Sequence, residues 1–324
     1  MNLRTKNLYT TQYKCVQSEQ RRLSPDDRGG HIDNTSLNAP FSLEELNTQL
    51  SKCKDTTPGP DDITISMIKH LTPQVLSSLL NALNQLWTSG KFPDSWRREI
   101  KLPFLKPGKN PLHPESYRPI SLTSCVGKLF ERMVNQRLMW FLEKNNILSP
   151  QQSGFRKHKS TVDALTQITC YIRKAFQDKK HTTAVFFDME KAYDTVCKDE
   201  IVNIMYRMGI RGNILTFVGN FLSSREFCVR VGAAHSDYFK QEEGLPQGSV
   251  LSVTCFAVAI NNITKQLSLG VQCSLYVDDF AIFAAAKNET HSNRAIQTSI
   301  NKLTEWSKTT GLKFSSEKYC RSEI

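Results

Sequence analysis

The run Leu275-Tyr276-Val277-Asp278-Asp279-Phe280-Ala281-Ile282-Phe283 sets two adjacent carboxylates between two short stretches of apolar, β-branched and aromatic residues. Such stretches read as strands, and a short polar break between them reads as a hairpin. The hairpin puts Asp278 and Asp279 at its tip with apolar flanks on both sides. Like charges held side by side repel, so the pair needs a reason to stay ionised. Divalent cations supply one: two hard, oxygen-bound Mg²⁺ ions about 3.5–4 Å apart are the usual device for displacement at phosphorus. For an isolated Asp-Asp the alternative is a turn that happens to be Asp-rich, because turns favour Asp. The rest of the chain bears on that choice.

The chain has 324 residues and a net charge of +11. Between positions 97 and 180 there are 17 Lys/Arg against 6 Asp/Glu, so the whole excess sits in one quarter of the chain. A localised surplus is the footprint of a polyanionic partner, whereas a diffuse one serves solubility; a solvated basic face is the plainer reading. No apolar run of about 18 residues exists, so no membrane-spanning helix is expected. The start, Met1-Asn2-Leu3-Arg4-Thr5-Lys6, lacks the apolar core of a secretion signal. Nine cysteines without a Cys-x-x-Cys pair suggest reduced structural thiols. The expected location is intracellular, cytoplasmic and/or nuclear, not secreted.

Residues 1–38 are polar, without sustained periodicity, and read as a disordered lead-in or linker. Ser42-Leu43-Glu44-Glu45 is a capping box opening a helix, and Thr72-Pro73 opens another that Gly90 ends. Trp96 to Lys109 reads as a strand running into a basic turn, with Tyr117 to Leu122 as the return strand and a helix over about 126–145. Gln151 to Lys159 is a second basic loop, in which His158 reads as a loop residue, and a helix starts near Ser160 with Asp163 completing its cap. Ala184-Val185-Phe186-Phe187 reads as a buried strand ending at Asp188, a carboxylate at a strand's C-terminal end, where ligands collect in layered α/β architectures. The segment after it, Met189 to Asp194, is expected to turn into a helix, with Asp194 read as a cap ahead of a catalytic role.

Further along, two helices cover about 199–208 and 214–222, and Phe227 to Val231 pairs with Tyr238-Phe239 as a hairpin. Gly244-Leu245-Pro246-Gln247-Gly248-Ser249 is a turn opening an apolar helix to about Lys265. Its glycine spacing is not that of a phosphate-cradling loop; its small residues let a flat substrate approach the backbone. Helical spacing returns over about 290–309 until Gly311, and Leu312-Lys313-Phe314 reads as a strand. Three carboxylates, Asp188, Asp278 and Asp279, can thus converge behind a basic lobe, with Tyr193 close enough to wall the pocket. Carboxylate-held Mg²⁺, a basic groove and a flat platform suit nucleotidyl transfer on a nucleic acid. A metal-dependent nuclease would also cluster carboxylates, with less use for the basic hairpin and the platform.

Several ordered motifs over about residues 40–318 resemble the reverse transcriptase domain of non-LTR (LINE-type) retrotransposons, in particular the jockey-like elements of arthropods. They are Thr57-Pro58-Gly59-Pro60-Asp61; Lys106-Pro107-Gly108-Lys109 with Tyr117-Arg118-Pro119-Ile120-Ser121-Leu122; Gly154-Phe155-Arg156 with Ser160-Thr161; Phe187-Asp188 through Lys191-Ala192-Tyr193-Asp194; Leu245-Pro246-Gln247-Gly248-Ser249; Tyr276-Val277-Asp278-Asp279; and Gly311-Leu312-Lys313-Phe314-Ser315 before Lys318. The resemblance implies an α+β right-hand polymerase. Its fingers, with N-terminal helices, would span 39–183 and its palm 184–324, with an interleaved fingers segment at about 200–240. It implies RNA-directed DNA polymerase activity with an RNA template, a DNA primer and deoxynucleoside triphosphates. Asp188, Asp278 and Asp279 would hold two Mg²⁺ ions, or Mn²⁺ in their place, and the Met189 carbonyl would complete one site. Lys106 and Arg118 would contact the triphosphate, Gln247 would lie against the nucleotide and template base, and Tyr193 would be the steric gate against a ribose 2′-hydroxyl. Lys318 matches the basic position where pyrophosphate leaves. Lys109, Arg156, Lys157 and Lys159 would meet the nucleic acid.

The chain departs from the family pattern in places. Leu251-Ser252-Val253 stands where the family has Leu-Ser-Pro, and Lys318 is followed by Tyr319-Cys320. No thumb is expected after Ile324 and no endonuclease upstream, which suggests a truncated piece of a longer element. The competing expectations are a remnant that binds RNA or DNA without polymerising, and another branch of the reverse transcriptase class, such as a group II intron maturase or telomerase.

Overall fold

The computed structural model describes residues 32–315 and the backbone of residues 320–323. Its strands, in chain order, are β1 (Arg98–Leu105), β2 (Tyr117–Leu122), β3 (His181–Phe187), β4 (Met189–Glu190), β5 (Glu226–Val231), β6 (Ala234–His235), β7 (Phe239–Lys240), β8 (Gln272–Tyr276), β9 (Asp279–Ala286), β10 (Lys313–Phe314) and β11 (Cys320–Glu323). They form two sheets and a ribbon. One sheet runs β2-β1-β5-β6, with β7 also on β5; the other runs β11-β3-β9-β8; β4 and β10 pair alone. The second sheet is antiparallel throughout. In the first, β1 pairs β2 antiparallel but β5 parallel, so residues 226–231 return from far along the chain to complete a sheet begun at residue 98.

Alternation along β3 and β9 sends side chains to both faces of the antiparallel sheet, and each face is covered by a helix. The helix Thr161–Gln177 lies on the face of Phe283, whose ring meets Tyr171 at 4.8 Å. The helix Glu289–Thr310 lies on the other, where Thr183 and Ser292 share a hydrogen bond of 3.1 Å. A strand covered on both faces is apolar throughout, which is why Ala184-Val185-Phe186-Phe187 is legible as one. The main core continues into a nest of aromatic rings, Phe41, Trp87, Phe92, Phe130 and Phe217, packed edge to face with centroids such as Phe130–Phe217 at 5.0 Å. The helix Cys125–Lys144 carries Phe130 and runs through this nest, with ten of its residues buried.

The helix ends follow the local signals. Ser42 and Glu45 form the capping box of Leu43–Lys52, Thr72 caps Pro73–Ser89, and Gly90 and Gly311 close their helices in the left-handed conformation. Two expectations need correction. Residues 32–38 are not a loose end: Leu37 is buried, Asn34 Nδ2 donates to Gly209 O at 3.0 Å, and Asn38 Nδ2 donates to Arg211 O at 2.8 Å. Polar side chains that satisfy distant carbonyls look like linker residues in sequence. The rest of that expected lead-in lies outside the described residues. The helix after Asp188 also starts late, because Met189 and Glu190 first pair with β10; it spans only Ala192–Thr195. No helix among the described residues is long and apolar enough to cross a membrane.

Candidate active site

Tyr276 pairs with Asp279 across the β8–β9 hairpin, which leaves Val277 and Asp278 as a two-residue turn. Val277 has φ of +59°. A β-branched residue there is strained, since glycine is the usual occupant of that position in a tight hairpin. The surroundings hold it. Ser153 N donates to Leu275 O at 2.8 Å and Leu275 N to Gln151 O at 3.1 Å, so the loop before Gly154 lies along the edge of β8. Gly154 sits directly on the turn: a Cβ there would stand 2.5 Å from Val277 Cγ2 and 2.6 Å from its backbone nitrogen. Gly154 is therefore needed for approach, and the loop acts as a clamp on the Asp-Asp tip.

The β3–β9 register ends with Phe187 opposite Phe280, so the next residue, Asp188, stands beside Asp279. One sheet end thus brings the three carboxylates together. Burial pushes the pKa of Asp279 above its ordinary value, and the charges of Asp278 and Asp188 push it further. Among the described residues no three His, Cys, Asp or Glu side chains are gathered into a ready cage for an ion. An oxygen-only donor set on neighbouring strands is what a hard divalent cation takes. The backbone next to Asp188 is set by its pairing with β10. Ser315 N donates to Asp188 O at 2.8 Å, and the pairing continues as Phe314 opposite Met189. In an antiparallel pair the hydrogen-bonded positions alternate, so the Met189 carbonyl points away from β10.

Tyr193 lies near this end, within reach of the Asp278 charge, and the segment before Gln247 is bonded to it. The Tyr193 ring stacks on Phe256, with centroids 4.7 Å apart and planes at 21°. Burial, then the charge of Asp278, push its phenol well above the usual range, so it stays neutral. Leu245 N donates to Tyr193 O at 2.6 Å, Gly244 N to Val196 O at 3.0 Å, and Ser121 N to Gln247 O at 2.7 Å. Gly244, at φ +78°, packs so close that a Cβ would stand 2.6 Å from Asp194 O. The Leu245–Gln247 platform is thereby pinned between the end of β2 and the short helix Ala192–Thr195. Asp194 is not that helix's cap, a position held by Lys191. Its carboxylate instead accepts a hydrogen bond from Gln247 Nε2 at 3.1 Å.

Glu131 escaped the sequence reading. It lies on the helix Cys125–Lys144, is 2% exposed, and accepts hydrogen bonds from Ser249 Oγ, Val250 N at 3.0 Å and Leu251 N at 3.3 Å. It caps, from another element, the helix Val250–Ile260 that follows the platform. Burial pushes its pKa up against the pull of those donors. The readable trace was a lone Glu between Phe130 and Met133 on a buried helical stripe.

The basic candidates divide. Arg118 is exposed on β2 opposite Phe104, and Lys106, two residues beyond Phe104, donates to Glu115 O at 2.9 Å. Lys109 and Lys157 are exposed. Arg156 instead pairs with Glu143 at 2.5 Å and donates to the carbonyls of Ser149 and Gln152. Lys159 donates to Pro150 O at 2.7 Å, and burial lowers its pKa. These two spend their donors on the loop that clamps the hairpin, which is why they sit beside the Gly-Phe turn. Lys318 lies outside the described residues.

The chain is similar to known proteins over most of its length. The chain is 28% identical over 315 residues to the probable RNA-directed DNA polymerase from transposon BS of Drosophila melanogaster, covering 95% of this chain and 35% of that protein. It is 28% identical over 276 residues to the RNA-directed DNA polymerase from mobile element jockey of Drosophila funebris, covering 82% of this chain and 30% of that protein. The chain spans about a third of the length of these curated relatives. Among solved structures, telomerase from Candida tropicalis, in complex with a fragment of telomeric RNA, superposes with a TM-score of 0.52 at 14% identity, over 81% of this chain and 45% of that one, a likeness of fold. The family model described as reverse transcriptase (RNA-dependent DNA polymerase) matches residues 105–323, from the tip of β1 to the end of β11. With that match over two thirds of its length, and with the paired aspartates, the Tyr193 segment and the platform all inside it, the chain belongs to the reverse transcriptase family.

Proposed function

We propose that this chain is the polymerising core of an RNA-directed DNA polymerase of the non-LTR retrotransposon type, joining deoxynucleotides to a DNA primer on an RNA template. The observation that supports the reading is the β3–β9 register, in which Asp188 follows Phe187 opposite Phe280 and so stands beside Asp279 and the hairpin tip that holds Asp278. Asp188, Asp278, Asp279 and the Met189 carbonyl are the groups that would hold two Mg²⁺ ions, or Mn²⁺. Bound there, the ions would make the primer 3′-hydroxyl more acidic and offset charge on the leaving pyrophosphate. The protein's own share is placement. Lys106 and Arg118 meet the triphosphate from the β1–β2 hairpin, and charge-assisted hydrogen bonds from such groups are short and directional. The Leu245–Gln247 platform receives the flat face of the nascent pair, and the neutral Tyr193 ring, held by Phe256, occupies the space of a 2′-hydroxyl. In the right-hand description the β2-β1-β5 sheet belongs to the fingers and the β11-β3-β9-β8 sheet to the palm.

The test is single-nucleotide addition to a DNA primer on an RNA template. Deoxynucleotides are added; Asp278→Asn lowers the rate by about 10³-fold or more, a loss of the size expected when charge stabilisation at the reacting centre is removed; and Tyr193→Ala admits ribonucleotides. RNA binding that weakens with salt, without any addition, would make the chain a binder instead.

A further inference from the structure

We infer that Asp194 is a positioning residue: by holding the Gln247 amide in one orientation, it sets the affinity of the site for the incoming nucleotide. The inference deepens the polymerase reading and rests on it. An ionised carboxylate only accepts hydrogen bonds, whereas a carboxamide has a donor half and an acceptor half. The contact between Gln247 Nε2 and Asp194 Oδ1, at 3.1 Å, therefore fixes which half faces which way. With Nε2 committed to Asp194, Oε1 is presented on the opposite side as an acceptor.

The backbone leaves Gln247 no other freedom. Its carbonyl accepts from Ser121 N at 2.7 Å, and the residues before it are laced to Tyr193 and Val196. What remains loose is the side chain's torsions, and Asp194 is what holds them. Asp194 is also the peptide neighbour of Tyr193, so the ring that reads the sugar and the amide that meets the nucleotide are set by one short segment, Ala192–Thr195. On its other side Asp194 borders a cavity of about 470 Å³ beneath the first sheet, shared with Lys101, Tyr117, Phe227 and Glu243. The residue is exposed and does not cap its own helix. A truncated side chain there leaves open space, not a clash or a lost cap, which separates its effect on Gln247 from an effect on folding.

A double-mutant cycle on nucleotide addition tests the inference. Asp194→Ala and Gln247→Ala are each expected to raise KM for the deoxynucleotide by about tenfold, the order of one charge-assisted hydrogen bond. The kcat should change by less than about threefold, since the interaction is made before the chemical step. The double variant should show no further rise over Gln247→Ala alone. Melting temperature and salt-sensitive RNA binding should match the parent. If Asp194→Ala does not fold, Asp194→Ser, too short to reach Gln247, runs the same cycle. Losses that multiply, or an unchanged KM in the Asp194 variant, overturn the inference while leaving the polymerase reading in place. A parent that adds no nucleotide, and holds none on a primer ended by a dideoxynucleotide, overturns the polymerase reading and this inference together.

Discussion

Val277 pays a conformational penalty to aim the Asp278-Asp279 pair, and Gly154 is what makes the penalty sustainable. The two residues form one contact, with no room for a methyl between them. Gly154→Ala should therefore destabilise the fold by about 1–3 kcal/mol, as overpacking does, and slow nucleotide addition more than the stability loss explains, because Val277 is followed directly by two of the three carboxylates. Urea melts beside addition rates check this; a variant as stable and as fast as the parent would mean the turn does not need the clamp. At this scale the sequence was informative about residue types and less so about their partners. Asp188, Asp278 and Asp279 stood out because strand ends and a hairpin tip can be located from local apolar runs. Asp194 was misread because cap preference is a local rule, and here the partner is Gln247, 53 residues on. Arg156 and Lys159 looked like free charge for the same reason: Glu143 and the carbonyls that take them are brought up only by the fold.

Among the elements, helices with strong end signals were legible to within a residue or two, as Ser42, Thr72, Gly90 and Gly311 show. The parallel pairing of β1 with β5 and the β4–β10 ribbon were not, because nothing local distinguishes a strand that pairs with its neighbour from one that pairs over a hundred residues away. Glu131 belongs to the same class. It ties the helix Cys125–Lys144 to the first turn of Val250–Ile260, the helix that follows the platform. Glu131→Ala leaves three donors without an acceptor and should cost about 3 kcal/mol or more, whereas Glu131→Gln, which keeps one accepting oxygen, should cost about 1 kcal/mol. Denaturant melts distinguish them; equal and small losses would show that the helix does not depend on this cap.

Over the whole molecule, the charge surplus between positions 97 and 180 is only partly available to a partner, since Arg97, Arg98, Arg137, Arg156 and Lys180 are each ion-paired within the fold. A second charged cluster lies inside. Arg225 and Glu99 form a pair with side chains 1% and 0% exposed. Beside them Lys198 donates to Gln241 O, and its pKa falls to about 8, first through burial, then through Arg225 and Lys101 against the opposing pull of Glu99 and Asp199. A lysine with a depressed value in the fold keeps its proton longer in the unfolded chain. The folded state should therefore gain stability as pH rises from about 8 towards the ordinary lysine value, the unfolded chain binding the extra proton throughout that window. Denaturant midpoints of the parent relative to Lys198→Met should accordingly rise between about pH 7 and about pH 10; a flat difference would place the Lys198 charge in water.

The central claim is that Asp188 and the Asp278-Asp279 tip act as one centre for divalent ions. Its most direct measurement is the rate of single-nucleotide addition against Mg²⁺ concentration near neutral pH, for the parent and for Asp188→Asn. The account predicts no addition without the ion, a rise steeper than first order in Mg²⁺, and a fall of about 10³-fold or more in the variant at saturating Mg²⁺. Addition that persists without a divalent ion, or that Asp188→Asn leaves intact, would contradict it.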